Sequence, residues 1–361
     1  ESNTVMVAVA AGAAASVSGS ATATVDVAGS GVANTIDNDT IAKVENSTIA
    51  APKLDVNATT NSTLVSVAGQ LSAAVTENYG GVAGLTWAQN SFDNITGAYV
   101  RGISLNGYNG TTALNVNAKN NSDMYTVGAG VNVAIVNGAL AGAYAANYGT
   151  NDTEAVVEKY ASSNKNNVIN NSSNIVVKAE DDSDIASVAG SLSVAVDDTA
   201  AVTVGGAIAN TLIGSSNNKQ SVRAALNDAT VSMVAGANLS VQALNDASLA
   251  NFALGGGVAA SGNVGVSAQG SAAAVDIHSD TLASMNNTNV NATNGKLELS
   301  AQSDNDIVSS ADAANVAFGS TVGVAGGAAI SVVNSDADTK VEAKRDSGYS
   351  TWNAKEVLLS A

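Results

Sequence analysis

Short clusters of aspartates, separated by a single residue, are the first residues in this sequence that could do chemistry. Carboxylate and asparagine oxygens grouped at turns are the ligands that calcium prefers. The glycine-rich calcium repeat and the EF-hand loop are both absent from the sequence, and the same residues also favour Asx turns at strand ends. Both interpretations stay open, and calcium is the one cofactor suggested. The candidate ligands are Asp37, Asp39, Asp182, Asp184, Asp304 and Asp306.

The single histidine, His278, lies in the segment VDIHSDT beside Asp276 and Ser279. A Ser-His-Asp triad needs partners that the fold brings together, so sequence neighbours do not predict one. One histidine also excludes the HExxH zinc motif, and no GxxxxGK[ST] phosphate loop occurs. The sequence therefore predicts no catalytic residue, and we expect the protein not to be an enzyme.

Aromatic residues are concentrated in one part of the chain, with nine of the thirteen between Tyr79 and Tyr160. Exposed aromatic side chains can form the centre of a binding surface. The alternative is that some of these rings stack inside wider coils. If a discrete surface exists for a host-cell or bacterial surface protein or glycan, the sequence places it here. The candidate contact residues are Tyr79, Trp87, Phe92, Tyr99, Tyr108, Tyr144 and Tyr148.

Composition excludes several classes of partner. The formal net charge is −17, which disfavours nucleic-acid binding and docking on anionic membranes. There is no cysteine, so disulfides and thiolate metal sites are excluded. Apolar stretches are interrupted well before the roughly 18 residues that a spanning helix needs, so we expect no membrane insertion by this segment.

A five-residue motif organises the chain: a large apolar residue, any residue, Val or Leu, any residue, and Ala. Its copies end at alanines that are 58 to 64 residues apart (301−243 and 243−179 are the extremes). This spacing predicts one repetitive domain over 1–361, part of a longer protein. The copies are LDVNA, LNVNA, IVVKA, LSVQA, LELSA and VLLSA, and the units are 1–58, 59–118, 119–179, 180–243, 244–301 and 302–361.

Within each unit the side chains alternate with a period of two, which is typical of strands. In LDVNA, Leu54, Val56 and Ala58 should point inward. The apolar residues are mostly Ala and Val, which suit a narrow interior. We therefore predict an all-β fold, a parallel β-helix or β-solenoid with a right-handed coil. Each unit should hold about three rungs of about 20 residues, giving roughly 18 rungs and a rod of roughly 85 Å.

Some runs, such as TVGVAGGAAISVV (Thr321–Val333), are apolar on both faces. Strands that are buried on both sides have this pattern. Either a neighbouring segment or another chain must then cover the outer face. We accordingly expect self-association, end to end or laterally.

The segments SVAGSLSVAV and VTVGGAIANT, with the LxVxA motif at intervals of about 60 residues, resemble the leukotoxin-type filamentous adhesins. The resemblance covers essentially the whole chain. It implies a large repetitive protein that is exported by two-partner secretion and folds outside a bacterium into a parallel β-solenoid. It also implies a secreted, cell-surface location, and it carries over no catalytic residue.

Three functions follow as expectations. The first is a structural and adhesive module of a bacterial surface filament, which mediates display and attachment. The second is a segment of a leukotoxin-like cytotoxin that contacts host cells, which would need an exposed apolar patch. The third is a polysaccharide-active β-helix enzyme, which would need a groove with convergent carboxylates and basic residues. The regularity of the repeat favours the first.

Overall fold

The structure, a computed structural model, describes residues 1–19, 23–77, 79–107, 110–135, 137–162, 164–346 and 348–361. Within these ranges all regular elements are β-strands, and they pair in parallel in two sheets. The predicted all-β parallel solenoid is confirmed.

The chain runs back and forth between the two sheets. In chain order the strands are β1 (Ser2–Ser18), β2 (Thr24–Glu45), β3 (Thr48–Ala50), β4 (Leu54–Thr76), β5 (Gly80–Arg101), β6 (Ser104–Asn106), β7 (Thr112–Ile135), β8 (Gly138–Glu158), β9 (Asn167–Asp197), β10 (Ala200–Ile213), β11 (Gln220–Leu226), β12 (Ala229–Ser261), β13 (Val264–Ser284), β14 (Asn289–Gly319), β15 (Val322–Glu342) and β16 (Trp352–Ser360). Sheet A has the central order β1-β4-β7-β9-β12-β14-β16, with β3 and β6 at its side. Sheet B stacks β2, β5, β8, the pair β10 and β11, β13 and β15.

Each strand pairs with the equivalent strand of the next sequence unit. Val9 lies beside Val67, and Val67 lies beside Val127, so one coil takes 58 residues (67−9) and the next takes 60 (127−67). The prediction of about three rungs in each unit is therefore wrong, because one unit makes one coil. Six coils about 4.8 Å apart give a height of roughly 29 Å instead of 85 Å. A 22-residue strand such as β2 extends about 70 Å, so each coil is long and flat.

The rung count was wrong because polar segments that resemble turns lie inside strands. Asp39, Asp152 and Asp280 each begin an Asp-Thr pair, and they lie within β2, β8 and β13. Polar side chains on in-register strands can bond to their counterparts on the next coil instead of closing a turn. Asn34, for example, donates from Nδ2 to Oδ1 of Asn90 at 3.2 Å.

The part of each coil that contains the LxVxA motif has an apolar core. Val56 and Ala58 are 4% and 1% exposed, and Leu114 is fully buried. They belong to one cluster with Val100 and Val157 from the opposite sheet. The predicted inward face of the motif is confirmed.

In the other part of each coil, small residues face the interior and large apolar residues face outward. In Val188–Val196 the small residues Ala189, Ser193 and Ala195 are buried, whereas Leu192 and Val196 are 40% and 44% exposed. The sheets come so close here that a Cβ added to Gly128 would lie 2.8 Å from the carbonyl oxygen of Tyr144. Large apolar residues are excluded from this stretch of the interior by its width, and they lie on the outside instead. A neighbouring stretch, closer to the motif, does hold large residues, namely Leu64, Phe92 and Met124.

Polar ladders fill this narrow interior. Asn90 donates from Nδ2 to Oδ1 of Asn147 at 3.2 Å on the next coil and to Oγ1 of Thr126 at 3.0 Å on sheet A. Ser66 of sheet A donates to Oδ1 of Asn90 at 2.6 Å. The bonds among these amides and hydroxyls offset the cost of burying them. A few other interior atoms, such as Oγ of Ser191 and Oε1 of Gln269, have no hydrogen-bond partner among the described residues.

Candidate binding surface

The outer face of sheet B carries a continuous apolar surface, which we call the sheet B band. Four alternate outward positions on each of six strands contribute, and all are Gly, Ala, Val, Leu, Ile, Trp or Tyr. None of them bears a charge. The contributing segments are Val25–Gly31, Gly81–Trp87, Gly138–Tyr144, Val202–Ile208, Val266–Ala272 and Val324–Ile330.

A groove of about 690 Å³ runs along the sheet B band, across the strands. Glycines of successive coils, Gly206 and Gly270, form its floor because they align in one row. Val204 lies on one side, and Ile208 and Ile330 on the other. Val204, Ile208 and Ile330 are 46%, 47% and 60% exposed, so the groove is apolar and open to solvent.

Three of the aromatic residues predicted as contacts lie at this surface. Trp87 is 43% exposed and lies beside Tyr144 in the register of β5 and β8. The hydroxyls of Tyr144 and Tyr148 are 2.5 Å apart. Burial raises the pKa of Tyr144 to about 12, with a further contribution from Tyr148, so the phenol stays neutral at physiological pH. A fourth predicted contact residue, Tyr79, lies outside the sheet B band at the turn before β5, where it is 67% exposed.

Phe92 does not fit its predicted role as a contact residue, because it is buried. It is 2% exposed and packs in the interior with Leu64 and Met124. Its ring occupies the space beside Gly149 of the next coil, where an added Cβ would lie 2.5 Å from the ring. The large residue on one coil is thus matched by a glycine on the next.

Tyr99 is also unsuited to binding a partner, since it is only 8% exposed although it lies on the outer face. Its hydroxyl donates to Oε2 of Glu154 at 2.8 Å, and Arg101 lies over its ring at 4.3 Å from the centroid. Arg223 pairs with Glu154 at 3.3 Å and Arg101 with Glu158 at 2.9 Å. Tyr99 therefore belongs to an ion-pair network that joins successive coils. Tyr108 lies outside the described residues.

The predicted calcium ligands lie on two separate surfaces. Asp37 and Asp39 are outward on β2 of sheet B. The others are outward on sheet A, where Asp182 and Asp304 flank Asp246 in one row. Among the described residues, no group of three or more His, Cys, Asp or Glu side chains could hold a metal ion. The candidate ligands not yet placed, Asp184 and Asp306, both lie beside Ser248 in the neighbouring row.

The carboxylates on sheet A border a small pocket of about 190 Å³ that also includes Lys178 and Asn245. Burial raises the pKa of Asp246. The negative charges of the neighbouring carboxylates raise this pKa further, and the largest of these contributions comes from Asp182. This surface is polar and separate from the sheet B band. Sequence reasoning did not single out Asp246, although its in-register position between Asp182 and Asp304 was implicit in the repeat.

His278 lies on the outer face between two carboxylates. Its Nε2 is 3.2 Å from Oδ1 of Asp276, and its Nδ1 is 3.4 Å from Oδ2 of Asp336. Ser279 points into the interior, where it is 1% exposed. The fold therefore keeps this serine away from the imidazole, and the three residues do not form a triad.

Sheet A has an apolar outer region as well, which we call the sheet A band. It contains the outward residues of Val7–Val17 and of the equivalent segments in β4, β7, β9, β12 and β14. Leu254 of this region is 49% exposed. Its groove is lined in part by Asp312, so the sheet A band is interrupted by a charge where the sheet B band is not.

No protein-family model matches the chain, and comparisons with curated proteins and with solved structures give no significant match. Within the described ranges no helix is long and apolar enough to cross a membrane. The residues that sequence reasoning missed are the outward aliphatic ones, above all Val204 and Ile208. Their signal was the run AAVTVGGAIANTLI (Ala200–Ile213), which is apolar on both faces.

Proposed function

We propose that the chain is a structural and adhesive module of a secreted bacterial surface filament. The observation that carries this proposal is the sheet B band, which every coil extends by the same four outward positions. A contact surface of this kind grows with the number of coils, while the interior ladders keep its shape. The resemblance to leukotoxin-type filamentous adhesins supports the same function and a location on the bacterial surface.

The partner in this proposal is a surface protein or glycan that Trp87, Tyr144 and Tyr148 contact. These three side chains lie together at one margin of the sheet B band. Tyr and Trp rings combine a large apolar face with a polar atom, which suits both sugar rings and protein surfaces. The module acts without catalysis: it extends away from the bacterial surface and binds its partner through many weak, repeated contacts.

Binding of protein-coated beads to cultured epithelial cells tests the proposal. We expect beads that carry the protein to bind several-fold more than albumin-coated beads. Trp87→Ala should remove most of that difference. Tyr349→Ala is the matched control, because Tyr349 is 92% exposed and lies outside both bands. Equal binding of protein-coated and albumin-coated beads would overturn the adhesive proposal.

A segment of a leukotoxin-like cytotoxin is the second candidate, and one observation favours it. Both sheets expose apolar surface, including Leu254 on sheet A and Ile208 on sheet B, and host-membrane contact requires such a surface. Release of an entrapped dye from phosphatidylcholine vesicles at micromolar protein would support it over the adhesive module. No comparable observation favours a polysaccharide-active enzyme, since the large groove is lined by apolar residues.

A further inference from the structure

We propose that the sheet B band is the contact surface for a second copy of this chain, packed against it face to face. This inference concerns assembly and goes beyond the proposed adhesive function. The second copy covers the same band that the adhesive proposal uses, Trp87 and Tyr144 included, so cell binding requires the monomer, whereas the dimer is measured without cells.

The size of the surface is the first argument. Four outward rows about 6.6 Å apart and six coils about 4.8 Å apart define an area of roughly 27 by 29 Å, or roughly 800 Å². The largest apolar patch on an ordinary monomer is about 300–600 Å². A stable interface buries about 800 Å² on each partner. The sheet B band is therefore larger than a soluble monomer normally exposes and large enough for a dimer.

The shape of the surface is the second argument. The row beside the glycine floor at Gly206 and Gly270 alternates in size, because Ala272 lies between Ile208 and Ile330. A second copy presents the same alternation at the same axial spacing of about 4.8 Å. When the two coil axes are aligned and offset by one coil, the large residues of one copy can lie over the small residues of the other. A partner without this repeat could match only one coil at a time.

Charge is the third argument, and it favours a second copy over a lipid surface. The chain has a net charge of −17, yet the sheet B band has no charged residue, so two copies can meet without opposing carboxylates. Glu77, Asp197 and Asp198 lie at the turns that border the band on one side, and Asp37 and Asp93 lie six residues beyond it on the other (37−31 and 93−87). In a dimer these carboxylates stay at the hydrated rim, where salt screens their repulsion. Insertion into a bilayer would bring these carboxylates to hydrocarbon depth, which is costly.

Sedimentation velocity of the purified protein between about 1 and 100 µM tests this inference. We expect a reversible dimer that strengthens with added salt, because apolar contact persists while repulsion between acidic chains is screened. Ile208→Lys should weaken the dimer by at least about 100-fold, since the lysine would be buried unpaired. Leu254→Lys is the matched control. Leu254 and Ile208 are 49% and 47% exposed, but Leu254 lies on the other sheet, so this variant should dimerise like the wild type.

A monomer at every concentration would overturn the inference, and so would a dimer that Leu254→Lys breaks and Ile208→Lys does not. Circular dichroism checks that both variants fold. If Ile208→Lys does not fold, single-cysteine variants replace it, because the chain contains no cysteine. A short bis-maleimide should then cross-link Ile208→Cys into dimers and leave Leu254→Cys mostly monomeric. Flotation of the wild type with phosphatidylcholine vesicles, together with loss of the dimer, would assign the band to lipid and reject the second copy.

Discussion

Asn120 donates a hydrogen bond from Nδ2 to Oδ2 of Asp181 at 3.0 Å, between equivalent positions of two successive coils. Asp181 lies in the interior and is fully buried. Ser183 and Thr153 also donate to it, at 2.9 and 3.3 Å. Burial outweighs these bonds and a further one from Asn151, and it raises the pKa of the carboxyl to about 6.

The first prediction concerns Asp181→Asn. The ordinary pKa of the carboxyl is 3.8 and its folded pKa is about 6, so the folded state takes up a proton as the pH falls through 6. The carboxylate therefore lowers the free energy of unfolding above pH 6, and that loss is recovered as the pH falls towards 4. Asparagine occupies the next position of the row at Asn245, so it should fit here. Asp181→Asn should stabilise the protein at pH 7 by about 1 to 3 kcal/mol.

Urea unfolding at pH 4.5 and pH 7.5 measures this effect as a difference between the variant and the wild type. The gain should be small at the lower pH and full at the higher one. Asp93→Asn, an exposed substitution on sheet B, should change stability by less than about 0.5 kcal/mol at either pH. A variant that is less stable than the wild type at pH 7.5 would show that the carboxylate is favourable where it lies.

The second prediction uses two glycines that face in opposite directions. A Cβ at Gly128 would lie 2.8 Å from the backbone oxygen of Tyr144, whereas a Cβ at Gly190 would have no atom within 4 Å. Gly128→Ala should lower the free energy of unfolding by about 1 to 3 kcal/mol, because the sheets must separate. Gly190→Ala should be neutral or stabilising by up to about 1 kcal/mol, since glycine weakens strands. Equal midpoints of thermal unfolding for the two variants would contradict the close approach of the sheets.

The third prediction separates Tyr99 from the other aromatic residues. Tyr99→Phe removes the hydrogen bond to Glu154 and should lower the free energy of unfolding by about 1 to 2 kcal/mol. It should leave cell binding and dimerisation unchanged, because the ring is 8% exposed. Trp87→Ala should behave in the opposite way, with little effect on urea unfolding and a large effect on bead binding. A Tyr99→Phe variant that folds normally but fails to bind would place Tyr99 in the contact surface after all.

The fourth prediction concerns the row of Asp182, Asp246 and Asp304. Burial and repulsion both raise the pKa of Asp246. The ionised carboxylates of this row therefore destabilise the folded state at neutral pH, and protonation removes this destabilisation as the pH falls. Asp246→Asn should stabilise the protein by less than about 1 kcal/mol at low salt, and the gain should shrink at high salt. Calcium and magnesium should raise the melting temperature of the wild type equally, by screening. A rise specific to calcium that Asp246→Asn abolishes would instead establish a calcium site.

The repeat allowed the strands, their parallel pairing and the inward face of the LxVxA motif to be predicted. Val56 and Ala58 are buried as expected because large apolar residues at alternate positions have one favourable face. The number of residues in one coil could not be predicted from the repeat in the same way. Asp39 and Asp152 resemble turn residues in isolation, and only pairing with the neighbouring coil keeps them in strands.

The candidate surface was harder to predict than the fold. Aromatic content pointed to the region from Tyr79 to Tyr160, and Trp87 does lie at the surface. Phe92 does not, because the glycine that accommodates it, Gly149, is 57 residues away in sequence (149−92) and adjacent only through the coil. The outward position of Leu192 depends on the narrow interior, and that width is a property of two sheets together.

The in-register rows also restrict how a chain of this kind can change in length. Removing one residue inside a strand would exchange its two faces from that point onward, which would bring Leu192 into contact with the ladder that now holds Ser193. Register irregularities are in fact confined to places such as Ser232–Leu239 and Ala292–Lys296, near the motif. Copying or losing an entire coil, by contrast, leaves every row intact. Unequal recombination between the repeats would thus yield foldable proteins of different length, while single-codon deletions within the strands would be removed by selection.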